Sequence, residues 1–207
     1  MLLVSASRCI FVLSLTHHLM QFKSKTFLYI VLVVLATATW RVINAQMAWY
    51  HLVPMAALGL FTGSVVRDNR WAYLIPLAGL FVSDLGLSLF TTMPGFYGYS
   101  QFINYIALGA VVVLGRGLQQ RNAVQIGAYS ISGTLLFFII SNFGTFISGY
   151  YGYNLSGLRE CYIMAIPFYK NELATSFFVN SLQADLVFSF VAFGAYHWIT
   201  KRTLQTA

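Results

Sequence analysis

The run AVQIGAYSISGTLLFFIISNFGTFIS, residues 123–148, decides the fold, because it carries no charged side chain from end to end. An α-helix that crosses the hydrocarbon core of a bilayer needs about 20 predominantly apolar residues. This run exceeds that length, and Arg121 stands just before it. It has no sustained period-2 alternation, so it does not read as a membrane strand. Outward from it lie apolar runs at 26–40, 54–66, 71–90 and 99–114 on one side and 174–200 on the other. The chain therefore reads as all-α, an integral membrane bundle of about six transmembrane helices. The first, second and fourth runs are short for a full crossing, which neighbouring helices or local thinning of the bilayer can accommodate.

Composition agrees. Of 207 residues, 58% are apolar and 8% charged, whereas a soluble domain carries about 25% charged residues. So few charges cannot coat a water-facing surface. The formal net charge of +7 does not point to nucleic acid. Nucleic-acid binders gather Lys and Arg on one face, and here they stand in pairs between apolar runs. Residues 1–19 hold Arg8, a brief apolar stretch and then His17 and His18. With no small-residue cleavage site after them, they read as a leader or an over-extended start ahead of Met20, outside the bundle. The single domain then covers 20–207. Neither the histidine pair nor Cys9 with Cys161 makes a metal site or a disulfide framework, and no cofactor is expected.

The charge pairs orient the bundle. Short cytoplasmic loops keep Lys and Arg. With six crossings, Lys23, Lys25, Arg67, Arg70, Arg116, Arg121, Lys201 and Arg202 fall on one side, against Arg41, Arg159 and Lys170 on the other. Both termini are thus expected in the cytoplasm, with the protein in the inner membrane.

That orientation gives the buried polar residues a depth. Ionisable groups inside a bilayer are costly and usually face the bundle interior. Asp84 stands 13 residues into the third run, roughly 20 Å deep at the helical rise. Asp185 stands 16 residues before Lys201, roughly 24 Å from the cytoplasmic face. Asn142 lies near the outer end of the fifth run, Arg41 caps the first and His51 precedes the second. All five fall in the outer half. Each also has a plainer reading: an Asp84–Arg41 structural pair, Asp185 or Asn142 as a helix cap, Arg41 snorkelling to headgroups, His51 idle at the interface. Around them the outer loops are rich in aromatic residues, Tyr150, Tyr151 and Tyr162 among them. An interfacial aromatic belt is ordinary. A short helix over 157–166, ended by Pro167, would instead place tyrosines as a lid over a polar floor.

Gly59 and Gly63 make a G-x-x-x-G pair, which brings helices close within a bundle or against a partner. No phosphate-binding loop, C-x-x-C, H-E-x-x-H or G-x-S-x-G motif occurs, so nothing supports an enzyme.

The runs His51-Leu-Val-Pro54-Met-Ala-Ala57, Val82-Ser-Asp84-Leu, Ser141-Asn-Phe143-Gly, Gly157-Leu, Cys161-Tyr162, Ile166-Pro-Phe168 and Asp185-Leu resemble, in order and spacing, an uncharacterised bacterial multi-pass membrane family. That family carries a domain of unknown function and is named as a transport protein. The resemblance covers about 41–193. It departs at His51, where the family often has Asn, and at Thr145 and Phe146, where a Trp is usual. More distantly, the layout is similar to the S components of energy-coupling-factor vitamin transporters, although their A-x-x-x-A docking pattern is absent from the first run. The resemblance implies a transport protein that binds a small, vitamin-like solute in an outward-facing pocket and is energised by an ATPase partner or an ion gradient. The site residues expected are Asp84, Asp185, Asn142, Arg41, His51, Tyr150, Tyr151 and Tyr162, with Gly59 and Gly63 for helix packing or partner contact. The alternative is an accessory subunit of a larger membrane complex with no solute of its own.

Overall fold

Uncharged runs become helices, and short polar residues start them. The computed structural model describes residues 24–47, 52–96, 98–165 and 177–205. These form seven helices: α1 (Ser24–Gln46), α2 (Met55–Val65), α3 (Asn69–Phe90), α4 (Tyr99–Arg116), α5 (Ala123–Ile147), α6 (Leu155–Ala165) and α7 (Phe177–Gln205). No strand occurs among the described residues. The Asp68 carboxylate accepts from the backbone N–H of Arg70 and Trp71 and so starts α3. Asn122 accepts from Gln125 N–H at the start of α5, and Asn154 accepts from Gly157 N–H at 2.7 Å at the start of α6. Each supplies an acceptor to an otherwise orphaned first-turn donor.

Four segments are long and apolar enough to cross a membrane: Thr26–Gln46, Asn69–Phe90, Ala123–Ile147 and Phe178–Lys201. Leu28, Leu32 and Leu35 lie exposed at helical spacing along α1, and Leu74, Phe81, Leu85 and Leu89 do the same on α3. Such continuous apolar faces fit acyl chains rather than water.

Helices α1, α3, α4, α5 and α7 close into a ring in that order, with α7 packing back against α1. Helix α2 fills the middle and touches all five. Ten of its 11 residues are buried, and it is apolar on every side because it meets protein on every side. Its 11 residues span only about 16 Å, half of a hydrocarbon core of about 30 Å. The second run is short because this helix never faces lipid. Phe61, at its centre, stacks edge-on against Tyr29, Phe193 and Tyr196 from α1 and α7.

Two glycine positions make the central fit possible. A Cβ on Gly63 would sit 2.3 Å from the backbone oxygen of Val112, and one on Gly115 would sit 2.6 Å from that of Leu60. Backbones of α2 and α4 therefore approach as closely as small residues permit.

The two ends of the bundle differ. At the basic end, carbonyls at and just past the end of α2 meet two arginines. Arg116 Nη1 donates to Val66 O at 2.9 Å and Arg67 O at 3.2 Å. Arg121 donates from Nε to Ser64 Oγ at 2.8 Å and from Nη2 to Ser64 O, and its guanidinium lies 5.7 Å from the centre of the Tyr196 ring. Cations at a helix C-terminus are favourable against its dipole. At the aromatic end, α6 packs against α5, Leu155–Ala165 where the sequence pointed to 157–166.

One expected boundary moves. Helix α1 continues past Trp40 to Gln46, so Arg41 lies inside it rather than capping its end. The helix can continue because Arg41 finds a carboxylate inside the bundle.

Candidate functional site

Helix α2 stops halfway along the axis of the ring, and the space beyond its first turn is a cavity of about 450 Å³. Val53, Met55 and Ala56 form its floor, and all seven helices contribute to its lining. Most of one wall comes from α5, through Thr134, Phe138, Ser141, Asn142 and Thr145. Tyr150, Tyr151 and Cys161 close over the aromatic end. Burial pushes the Cys161 thiol and the Tyr151 phenol above their ordinary values.

The floor is built around Asp185 of α7, which is 2% exposed. Its Oδ1 accepts from Ala57 N–H at 2.8 Å, and Ala56 N–H points to the same carboxylate. Its Oδ2 accepts from the Thr134 hydroxyl at 2.8 Å. One turn further along both helices, Ser189 Oγ donates to Ser130 Oγ at 3.2 Å. Asp185 is therefore a cap for α2 supplied by another helix. The orphan donors of a helix start and the positive end of its dipole meet a carboxylate within the bundle.

The second carboxylate, Asp84 of α3, is 1% exposed and does not line the cavity. It is ion-paired to Arg41 Nη1, which also donates to Ser83 Oγ at 2.6 Å. On its other oxygen it accepts from Gln101 Nε2 and from the Tyr105 hydroxyl, each at 2.9 Å. Arg41 itself, 15% exposed, borders the cavity. Asp84 thus works through Arg41: it holds the guanidinium against the wall.

Of the residues expected in a site, Arg41, Asn142, Asp185, Tyr150 and Tyr151 border this one cavity. Asp84 lies one layer behind. Tyr162 points away, with its hydroxyl donating to Ile139 O at 2.8 Å and its ring against Phe138. His51 lies outside the described residues. Gly59 and Gly63 face α4 within the bundle, where neither is open to a partner.

Sequence reasoning passed over Gln101, Tyr105 and Thr134, the groups that fix the two carboxylates. Gln101 and Tyr105 stand four residues apart on α4, which puts them on one face, and that spacing was the available signal. Among the described residues no cluster of three His, Cys, Asp or Glu side chains is placed to hold a metal ion.

No curated protein and no solved structure matches the chain. A family model does match, over residues 20–207, nearly the whole sequence. The chain accordingly belongs to DUF6580, a family of unknown function.

Proposed function

We propose that this protein is a transport protein of the cytoplasmic membrane that receives a small solute from outside into the cavity above α2. In this reading the chain crosses six times. Helices α1, α3, α4, α5 and α7 cross whole, and α2 crosses together with the non-helical residues leading into it. Both termini lie in the cytoplasm, and the aromatic end faces out. The charge pattern supports that orientation, since Arg67, Arg70, Arg116, Arg121 and Lys201 all belong to the basic end. The observation that carries the function is the cavity, about 450 Å³, within the roughly 300–1,000 Å³ range of small-molecule sites. A half-length helix with its N-terminus deep in the bundle is also the device by which discontinuous membrane helices present a binding site near midplane. Energy would come from a partner ATPase module, as in the S components that the layout resembles, or from an ion gradient.

The test is the chemical identity of what the cavity holds. Mass spectrometry of extracts from protein purified in mild detergent should find a stoichiometric small molecule. It should be missing from a Ser141→Trp variant that fills the cavity and still melts cooperatively. The same compound bound equally by the filled variant would sink the reading.

A further inference from the structure

The hydrogen-bond directions around the cavity are uneven. A hydroxyl has one proton to give, and at Ser141, Ser148 and Ser100 that proton is already committed to a backbone carbonyl. Ser141 Oγ donates to Phe138 O at 3.3 Å, and Ser148 Oγ donates to Thr145 O at 2.6 Å. Ser100 Oγ, from α4, donates to Gly144 O at 3.5 Å. Asn142 Nδ2 donates to Phe138 O at 2.9 Å, which fixes the amide so that Oδ1 is the atom left over, with no partner among the described residues. All four residues line the cavity. What they offer a guest is oxygen lone pairs.

The charges agree. Among the described residues at this end of the cavity, the Arg41 guanidinium is balanced by Asp84, and Asp185 remains. The N-terminus of α2 offsets only about half a charge, so an ionised Asp185 leaves a negative excess at the floor. A carboxylate has about four lone-pair positions. Asp185 uses three, on Ala56, Ala57 and Thr134, and it borders the cavity. The aromatic surfaces of Phe137, Phe138 and Tyr151 complete the lining, and ring faces attract cations.

We infer that the solute carries a protonated amine, seated over Asp185 with its N–H groups turned to the acceptor wall of α5. This rests on the solute-binding reading above and names the class of solute it takes. A carboxylate in that place would meet lone pairs on the wall and a like charge at the floor.

Three probes of similar size test it: 2-phenylethylammonium, 2-phenylethanol and phenylacetate, titrated into the purified full-length protein and followed by saturation-transfer NMR. The ammonium should bind roughly tenfold or more tighter than the alcohol, the ratio supplied by one hydrogen bond to a charged group, and phenylacetate should bind weakest. Asp185→Asn, which keeps an acceptor for the α2 N–H groups, should erase the preference. Asn142→Leu, remote from that cap, should reduce it and serves if the first variant does not fold. Tightest binding of phenylacetate or of the alcohol overturns the amine assignment and leaves the cavity a solute site. Binding of none of the three, or equal binding by Ser141→Trp, overturns the solute reading and the assignment with it.

Discussion

Asp84 accepts from Arg41 on α1 and from Gln101 and Tyr105 on α4, so one carboxylate ties three helices together. Its removal would strand a guanidinium inside the bundle. Breaking a buried pair from one side costs about 3–5 kcal/mol. Asp84→Ala should therefore lower thermal stability in detergent steeply and reduce the folded yield. Asp84→Asn keeps an acceptor and should fall between it and the wild type. An Asp84→Ala protein that melts like the parent would show that Arg41 finds another partner. At this scale the sequence was informative about charges and silent about what receives them. Asp84, Asp185 and Arg41 are conspicuous because ionisable residues are rare in apolar runs. Thr134 and Gln101 are not, because hydroxyls and amides are common in membrane helices and usually bond to their own backbone. Which of them meets a carboxylate depends on which helices are neighbours.

The elements show the same division. Apart from α1, which runs six residues past its apolar run, the boundaries lay within about five residues of the expected ones, and the short α2 was visible as the short second run. Its central position was not, since a hydropathy pattern says how far a helix reaches and nothing of what lies beside it. Arg41 misled for a related reason: a charge ends an apolar run in sequence but not a helix whose neighbour supplies the counter-charge. The glycines did carry lateral information. Gly63→Ala should push α2 from α4, because the added methyl meets a backbone oxygen that cannot rotate away. Overpacking of this kind costs about 1–3 kcal/mol. Gly59→Ala meets a flexible Leu108 side-chain tip first and should cost less, and Gly109→Ala has open space and should be close to neutral. Melting temperatures of the three variants in one detergent give the order. A Gly63→Ala protein as stable as Gly109→Ala would mean that the α2–α4 contact is looser than described.

At the scale of the molecule, the proposed orientation makes opposite predictions for two exposed loop positions. Gln120 lies between α4 and α5 at the basic end, and Tyr153 lies before α6 at the aromatic end. In a background lacking Cys9 and Cys161, a membrane-impermeant maleimide added to intact cells should label Tyr153→Cys and spare Gln120→Cys. The reverse pattern would invert the bundle, and labelling of both would remove one crossing. The arginines at the basic end also hold the end of α2, Arg121 at Ser64 O and Arg116 at Val66 O and Arg67 O just past it. Their charge was legible and this second duty was not, because it depends on α2 ending beneath them.

The central helix also sets an order on how the protein can be made. A segment about 16 Å long with no side turned to lipid is a poor guest for a bilayer on its own. It becomes a good one only when five longer helices surround it. The fifth of these, α7, is the last to leave the ribosome, and it brings the carboxylate that receives the N–H groups of Ala56 and Ala57. Until α7 follows, those donors lack that carboxylate. A chain cut short before α7 therefore lacks one wall of the ring around α2 and the carboxylate that receives its first N–H groups.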